Sequence, residues 1–348
     1  MSLLKFIFGI VLAICVEVVL IPFQIIAFMV AAYFMIAVSA KLNTSMTAVK
    51  ILEGRILMDW FGLRKDQLSV ELGRRLPNFS IQSLYVVLLP LIIYRRVSGR
   101  SPFTLPVVGD ETFKDLVHSR TVVYDEMLQT WSLSIRERGL KPQFVHLGAG
   151  FDTRSLQPQR FGFTGGCFEV DQVSVQQIKL KAIEKSVTLR ECKSSVHFVV
   201  ANFEEAGDWV QNLINTGLDI RQPMLFLWEG VTLYLDESSV QTTLDDIKRL
   251  CQQAPDKTCR LITGLYSSQV IDFTYDKSLK KARKTLDYTG ESWKFGLPFE
   301  SNEKWRGVIE KFVSKSGYTL GTHVGLGANN IKGPFLVCTE MIVSSDSR

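Results

Sequence analysis

Between Phe6 and Ala40 the chain carries one charged residue, Glu17, in a stretch dense in Ile, Val, Leu, Phe and Ala. A helix needs roughly 20 apolar residues to cross a bilayer, and this run is well beyond that. Residues 1–40 are therefore expected to form a transmembrane or membrane-hairpin anchor: one long tilted span, or two short helices that turn back near Pro22. A cleaved signal peptide fits less well, because its apolar region is usually about 7–15 residues long and this run ends without a clear small-x-small site. Lys5 precedes the run, whereas Lys41, Lys50, Arg55, Arg64 and Lys65 follow it. An excess of Lys and Arg marks the cytosolic side, so the body of the protein is expected to face the cytosol. Glu17 reads either as a functional intramembrane carboxylate or as one protonated or paired near the turn of a hairpin. A second uncharged run, Ile81 to Tyr94, is short for a span and contains Pro90. It suits a buried helix or an interfacial one, with Arg95 and Arg96 among headgroups.

The 348 residues suffice for one sizeable catalytic domain plus an appendage. A net charge of +5, from 40 basic and 35 acidic residues without a long basic run, leaves no electrostatic footprint for nucleic acid. Six cysteines lie scattered without a C-x-x-C pair, and Cys15 sits inside the apolar run, which points to reduced thiols. The four histidines, His118, His146, His197 and His323, lack the short spacings of zinc ligands, so no metal is expected.

From Lys41 to Gly139 the pattern is helical. Ala48, Ile51, Leu52 and Arg55 recur at helix spacing, and Phe113 to Trp131 repeats apolar residues every three or four positions. Residues 41–140 are expected to form a helical cap. After Lys141-Pro142 short apolar runs alternate with amphipathic stretches, which indicates an α/β fold over 141–348. Strands are expected at Phe144–Leu147, Cys167–Val170, Val196–Ala201, Met224–Trp228, Arg260–Leu265 and Pro334–Val343, with helices at 173–185 and 237–252. Together they predict a Rossmann-like, doubly wound, mostly parallel sheet. The last strand, approached through Gly325, Gly327 and Gly333, is expected to run antiparallel at the edge.

The run Val145-His146-Leu147-Gly148-Ala149-Gly150-Phe151-Asp152 is a strand ending in Gly-x-Gly, where missing side chains admit a ligand close to the backbone. Roughly twenty residues on, a second strand ends in Glu169-Val170-Asp171, the place where an acid commonly accepts hydrogen bonds from ribose hydroxyls. Three residues after Gly150 stands Thr153 rather than glycine, which weakens a dinucleotide reading, because the third glycine lets a helix pack beneath a pyrophosphate. A nucleoside ligand without pyrophosphate fits better, and S-adenosylmethionine is one.

The blocks Val145–Arg154, Phe168-Glu169-Val170-Asp171-Gln172 and Leu227–Leu235, with Ser45–Ala48 and Arg120 upstream, resemble the leucine carboxyl methyltransferase family over about residues 43 to 250. The resemblance implies a class I methyltransferase fold that binds S-adenosyl-L-methionine. It implies that Arg120, from the cap, pairs with the cofactor's carboxylate through a two-pronged guanidinium; the alternative is a surface salt bridge. Gly148 and Gly150 would underlie the methionine portion and Asp171 would bind ribose, with Glu169 as a helper or a purely structural residue. Where the family usually has Asp-Leu beside the adenine, this chain has Asn202-Phe203, an amide and a broad apolar ring. Glu229 closes the fourth strand near the cofactor, and Tyr234 either lines the acceptor pocket or packs.

Methyl transfer from a sulfonium needs a positioned nucleophile and a dry pocket rather than an acid. His118, Tyr124 and Asp125 are explained as well by helix packing, so no general base is assigned. The family's acceptors are a protein's terminal leucine carboxylate, small acids or polyketides, and the apolar run adds the membrane as a partner. The rival readings are a non-catalytic membrane-tethered scaffold and a nicotinamide-dependent oxidoreductase.

Overall fold

The computed structural model describes residues 3–205, 209–254, 258–277, 279–299 and 301–343. Helix α1 (Leu3–Tyr33) runs unbroken through Pro22 and continues through a π-helical turn (Phe34–Val38) to Lys41. Of the two anchor geometries expected, one long helix is what forms and the turn back at Pro22 is absent; the cost of proline is one lost backbone bond inside a helix, not a reversal. Four cap helices follow: α2 (Met46–Trp60), α3 (Gln67–Gly73), α4 (Ile81–Ser98) and α5 (Leu116–Glu137). Local chemistry starts three of them, since the side chains of Ser45, Asp66 and Ser80 each accept from a backbone N–H in the first turn. Gly99, in the left-handed region at φ 71°, ends α4.

The partner of α1 is α4, not a second half of the apolar run. The two helices run antiparallel: Phe6 meets Tyr94 at 6.3 Å, Gly9 lies against Ser98, and Gln24 Nε2 donates to the Val87 carbonyl at 3.2 Å. The same amide group donates to Glu17 Oε2 at 3.1 Å, so Glu17 is paired along its own helix rather than at a bend. By length and composition alone, Leu3–Lys41 and Ile81–Ser98 are both apolar enough to cross a membrane. Arg55 and Arg64, counted from sequence among the basic residues beside the apolar run, are instead buried in ion pairs.

Behind the cap stands a seven-stranded sheet of β1 (Gln143–Leu147), β2 (Cys167–Asp171), β3 (Val196–Val200), β4 (Met224–Trp228), β5 (Arg260–Tyr266), β6 (Tyr318–Leu326) and β7 (Leu336–Val343). Its order is β3-β2-β1-β4-β5-β7-β6, with β7 antiparallel to both neighbours. The six expected strands are present. Two features differ: β6 was not expected, and the final strand lies between β5 and β6 rather than at the edge. β6 is the edge strand, interrupted by an irregularity between Leu320 and His323 and carrying two glycines, so its apolar pattern is weak.

Strands β1, β2 and β4 are buried throughout, as expected for parallel strands covered on both faces. Alternation sends Phe144, Leu225 and Leu227 to the face covered by Tyr124, Leu128 and Trp131 of α5. Val145, Phe226 and Trp228 meet Val240, Leu244 and Ile247 of α7 (Glu237–Cys251) on the other. Helix α6 (Val173–Glu184) is fastened by a buried pair, Lys179 Nζ to Glu169 Oε2 at 2.7 Å. Lys179 also donates to the Asp152 carbonyl at 2.5 Å, tying the helix to the loop after β1. Removing one member of a buried pair strands the other, so Lys179→Met should lower stability by about 3–5 kcal/mol, read from the urea midpoint.

Candidate functional site

The chain passes from β1 outward to β3 and then crosses to β4, so β1 and β4 flank the switch point of the sheet, where open α/β sheets form their crevice. A cavity of about 300 Å³ lies there, beyond the carboxyl ends of β1, β2 and β4, and is also lined by the start of α2 and by residues of the segment 289–294. Gly148 and Gly150 form its floor with φ of 64° and 52°. A Cβ at Gly148 would collide with Val231, and one at Gly150 would stand 3.2 Å from Ala48. Both positions thus demand glycine for conformation and for closeness.

Asp171, at the end of β2, lines the cavity. Its Oδ2 accepts from Gly150 N at 2.5 Å and its Oδ1 from Gln172 N at 2.7 Å. Burial raises its pKa to about 6 even though these two bonds favour the ionised form. Asn202 and Phe203 line the same end. Asn202 is held by Glu205, to which its Nδ2 donates at 2.7 Å, and Phe203 stands edge-on to Trp209 and Trp228.

Above the switch point lies a cluster of buried charges. Arg55 of α2 reaches Asp152 at 2.6 Å and Glu229 at 3.2 Å; Arg120 of α5 reaches Glu229 at 3.0 Å; Arg154 reaches Asp152 at 2.7 Å, Asp125 at 2.7 Å and Glu229 at 2.5 Å. Arg64 joins Asp125 to Asp66. Burial opposes the charge on Glu229, yet the Arg154, Arg55 and Arg120 guanidiniums hold its pKa at about 2. Glu229 therefore borders the cavity with its carboxylate spent on three arginines. Arg120 is buried, not a surface salt-bridge partner. Its Nη1 donates to the Tyr266 hydroxyl at 2.7 Å, whereas Nη2 has no hydrogen-bond partner among the described residues. Gly230, at φ 69°, leaves room beside it, since a Cβ there would stand 3.3 Å from Nη2.

The cavity wall also holds a residue that sequence reasoning missed. Glu291 accepts from Thr47 N at 3.1 Å and from Thr47 Oγ1 at 3.0 Å, and the Tyr234 hydroxyl donates to the same Oγ1 at 2.8 Å. Burial raises its pKa against the bonds from Ser45 and Thr47. Among the described residues, Asp171 and Glu291 are the cavity carboxylates outside any ion pair; Asp152, Glu204 and Glu229 are all paired. Tyr234 borders the cavity too. Glu169 does not: it is buried with Lys179 and Ser155. His118, Tyr124 and Asp125 also stand away from the cavity wall. His146 does line it, but burial lowers its pKa to about 4, so it is neutral at pH 7. Thr153, in place of a third glycine, is buried and donates to Asp66 at 3.1 Å.

Sheet order and crevice together define a Rossmann-like α/β protein with a glycine-floored cavity at its switch point. Residues 107–248 match the leucine carboxyl methyltransferase family model, so the resemblance carried by the sequence blocks is borne out over that stretch. The stretch contains Arg120, Gly148, Gly150, Asp171, Asn202, Phe203 and Glu229 but not Glu291. A protein of Parafrankia sp. (strain EAN1pec) is 30% identical over 133 residues, 38% of this chain and 39% of that protein. One from Streptomyces coelicolor is 31% identical over 133 residues, 38% and 40% of the two chains. Both are named, provisionally, as S-adenosyl-L-methionine-dependent methyltransferases. This chain thus spans about two-fifths of the length of the curated relatives it matches. Among solved structures, an O-methyltransferase family protein from Burkholderia thailandensis aligns with a TM-score of 0.40 at 14% identity, over 65% of this chain and 57% of that one.

Because Glu229 neutralises guanidiniums from α2, α5 and the β1 loop at once, Glu229→Gln should cost about 3–5 kcal/mol in chemical denaturation. An exposed-type effect below about 1 kcal/mol would mean that the arginines find other partners.

Proposed function

We propose that this protein is an S-adenosyl-L-methionine-dependent methyltransferase tethered to a membrane, its catalytic body facing the cytosol, which methylates an oxygen of its acceptor. The observation that carries the reading is the pairing, in one cavity, of the unpartnered Arg120 Nη2 with the glycine floor and the unpaired Asp171 carboxylate. A ligand with a carboxylate at one end and a ribose diol further along meets a donor, a close backbone and an acceptor in that order. Arg120 takes the amino-acid carboxylate, Gly148 and Gly150 back the methionine portion, Asp171 binds the ribose, and Asn202 and Phe203 flank the adenine. Glu229 acts through Arg120 and Arg55 by fixing their orientation.

The sulfonium supplies an already activated methyl group, so the chain's task is to orient the acceptor oxygen and exclude water. Of carboxylate and hydroxyl acceptors, small-molecule or protein-borne, Glu291 favours the hydroxyl. A carboxylate placed beside it would meet like charge in a partly desolvated site, whereas a hydroxyl can give it a proton as the new O–C bond forms and the C–S bond breaks. The anchor of residues 1–40, the helical cap of 41–140 and the methyltransferase domain of 141–348 divide the labour: tether, lid with Arg55 and Arg120, and binding floor.

Binding separates this reading from its rivals. Calorimetry should show S-adenosylmethionine bound and dinucleotides ignored. Because ribose hydroxyls donate to the ionised form of Asp171, affinity should fall as pH drops through about 6, and Asp171→Asn should abolish that pH dependence along with part of the affinity. Turnover is read with methyl-labelled cofactor and fractionated membrane extract. The expected product keeps its label in mild base; release as methanol would point to a carboxylate acceptor. Glu291→Gln should lower kcat by about 10²-fold or more while cofactor affinity stays unchanged. Binding without labelled product in any fraction would favour the scaffold.

A further inference from the structure

Helix α4 lies between α1 and the other cap helices. On one side it meets Phe6, Gly9 and Gln24 of α1; on the other, Tyr85 stands edge-on to Trp60 at 5.7 Å, and the Arg95 guanidinium lies over Gly62. Tyr85 and Arg95 are ten residues apart, roughly 15 Å along a helix. Counted along the antiparallel pair, from Gly9 beside Ser98 to Gln24 beside Val87, the cap touches α4 alongside the middle of α1. An α1 that crossed a bilayer along its normal would drag this part of the cap to hydrocarbon depth, where its polar groups would have no water. Length points the same way. The 39 residues of Leu3–Lys41 extend roughly 58 Å, about twice the ~30 Å hydrocarbon core.

Yet α1 is apolar and uncovered around most of its circumference: Leu4 is 76% exposed, and Val19 and Phe28, nine residues apart and so on opposite faces of the helix, are 69% and 65% exposed. Exposed basic residues stand at both ends of this surface, Lys5, Arg96 and Arg100 at one and Lys41 at the other. Arg100 sits over the Phe6 ring at 4.9 Å, which keeps its charge at the rim of the apolar face. From Lys41 the chain turns directly into Asn43, Thr44, Ser45 and Thr47, which line the cavity, and α8 (Leu279–Thr289) leans on the Ser39–Lys41 turn.

We infer that α1, backed by α4, is a monotopic membrane-docking flank that lies along one leaflet of a phospholipid bilayer, with both its ends on the cytosolic side. This inference rests on the membrane reading above and replaces a span with an embedded edge. Basic groups at both ends match anionic headgroups of a single surface, whereas a span would need one end to cross. The cavity rim then sits within a few residues of the headgroup plane.

The full chain in sealed microsomes tests it, in a Cys15→Ser background with either Lys5→Cys or Lys41→Cys. The protein should stay with the membrane through alkaline carbonate. Both cysteines should react with a membrane-impermeant maleimide to the same extent before and after detergent opens the vesicles. Labelling at Lys5→Cys that appears only after opening, with Lys41→Cys labelled throughout, would establish a span; it would overturn the inference while leaving membrane attachment intact. Release by carbonate, or a soluble dimer with the α1 face covered by a second copy, would overturn both.

Discussion

Four buried guanidiniums, Arg55, Arg64, Arg120 and Arg154, face four carboxylates, Asp66, Asp125, Asp152 and Glu229, across the seam between the helical cap and the sheet. Each ion is costly to take from water and is tolerated because its partners are in place, so the cluster is held or lost as a unit. Its members come from α2, the loop after α2, α5, the loop after β1 and the end of β4. Cap and sheet are therefore locked to each other at the point where the cavity opens, and the cavity's shape depends on that lock. Arg120 is held by Glu229 through Nε and by Tyr266 through Nη1, which leaves the buried Nη2 without a hydrogen-bond partner among the described residues.

The acids of the cavity divide accordingly. Glu229 and Asp152 are consumed in fixing arginines, and their negative charge is cancelled before any ligand arrives. Asp171 and Glu291 keep theirs outside any ion pair, each bonded by backbone or hydroxyl donors. That division supports reading one as a ribose acceptor and the other as the group facing the methyl acceptor. Thr153 adds a negative selection: its side chain is anchored to Asp66 where a dinucleotide fold would want the space of a glycine.

The same seam constrains the apolar flank. Because α4 packs both on the other cap helices and on α1, the orientation of α1 relative to the sheet is set by packing within the protein. The Gln24 amide, bonded to both Glu17 and the Val87 carbonyl, satisfies the polar groups of this packed pair internally. A flank of this kind carries the cavity rim with it, since the chain leaves α1 and enters the cavity wall at Asn43.

Much of the fold was legible because its signals are local. Short apolar runs marked six strands, helix spacing marked the cap, and Gly148, Gly150 and Asp171 marked the strand ends by their offsets. β6 escaped because an irregular, glycine-bearing edge strand buries too little on either face to write a pattern. The packing of α1 on α4, the three arginines on Glu229, and Glu291 beneath Thr47 were decided only in three dimensions. Their partners lie between 63 and 244 residues apart. Sequence can show that a residue is charged or apolar at a given spacing along its own element. Which buried charge neutralises it, and which carboxylate is left free, depends on long-range closure of the cap onto the sheet.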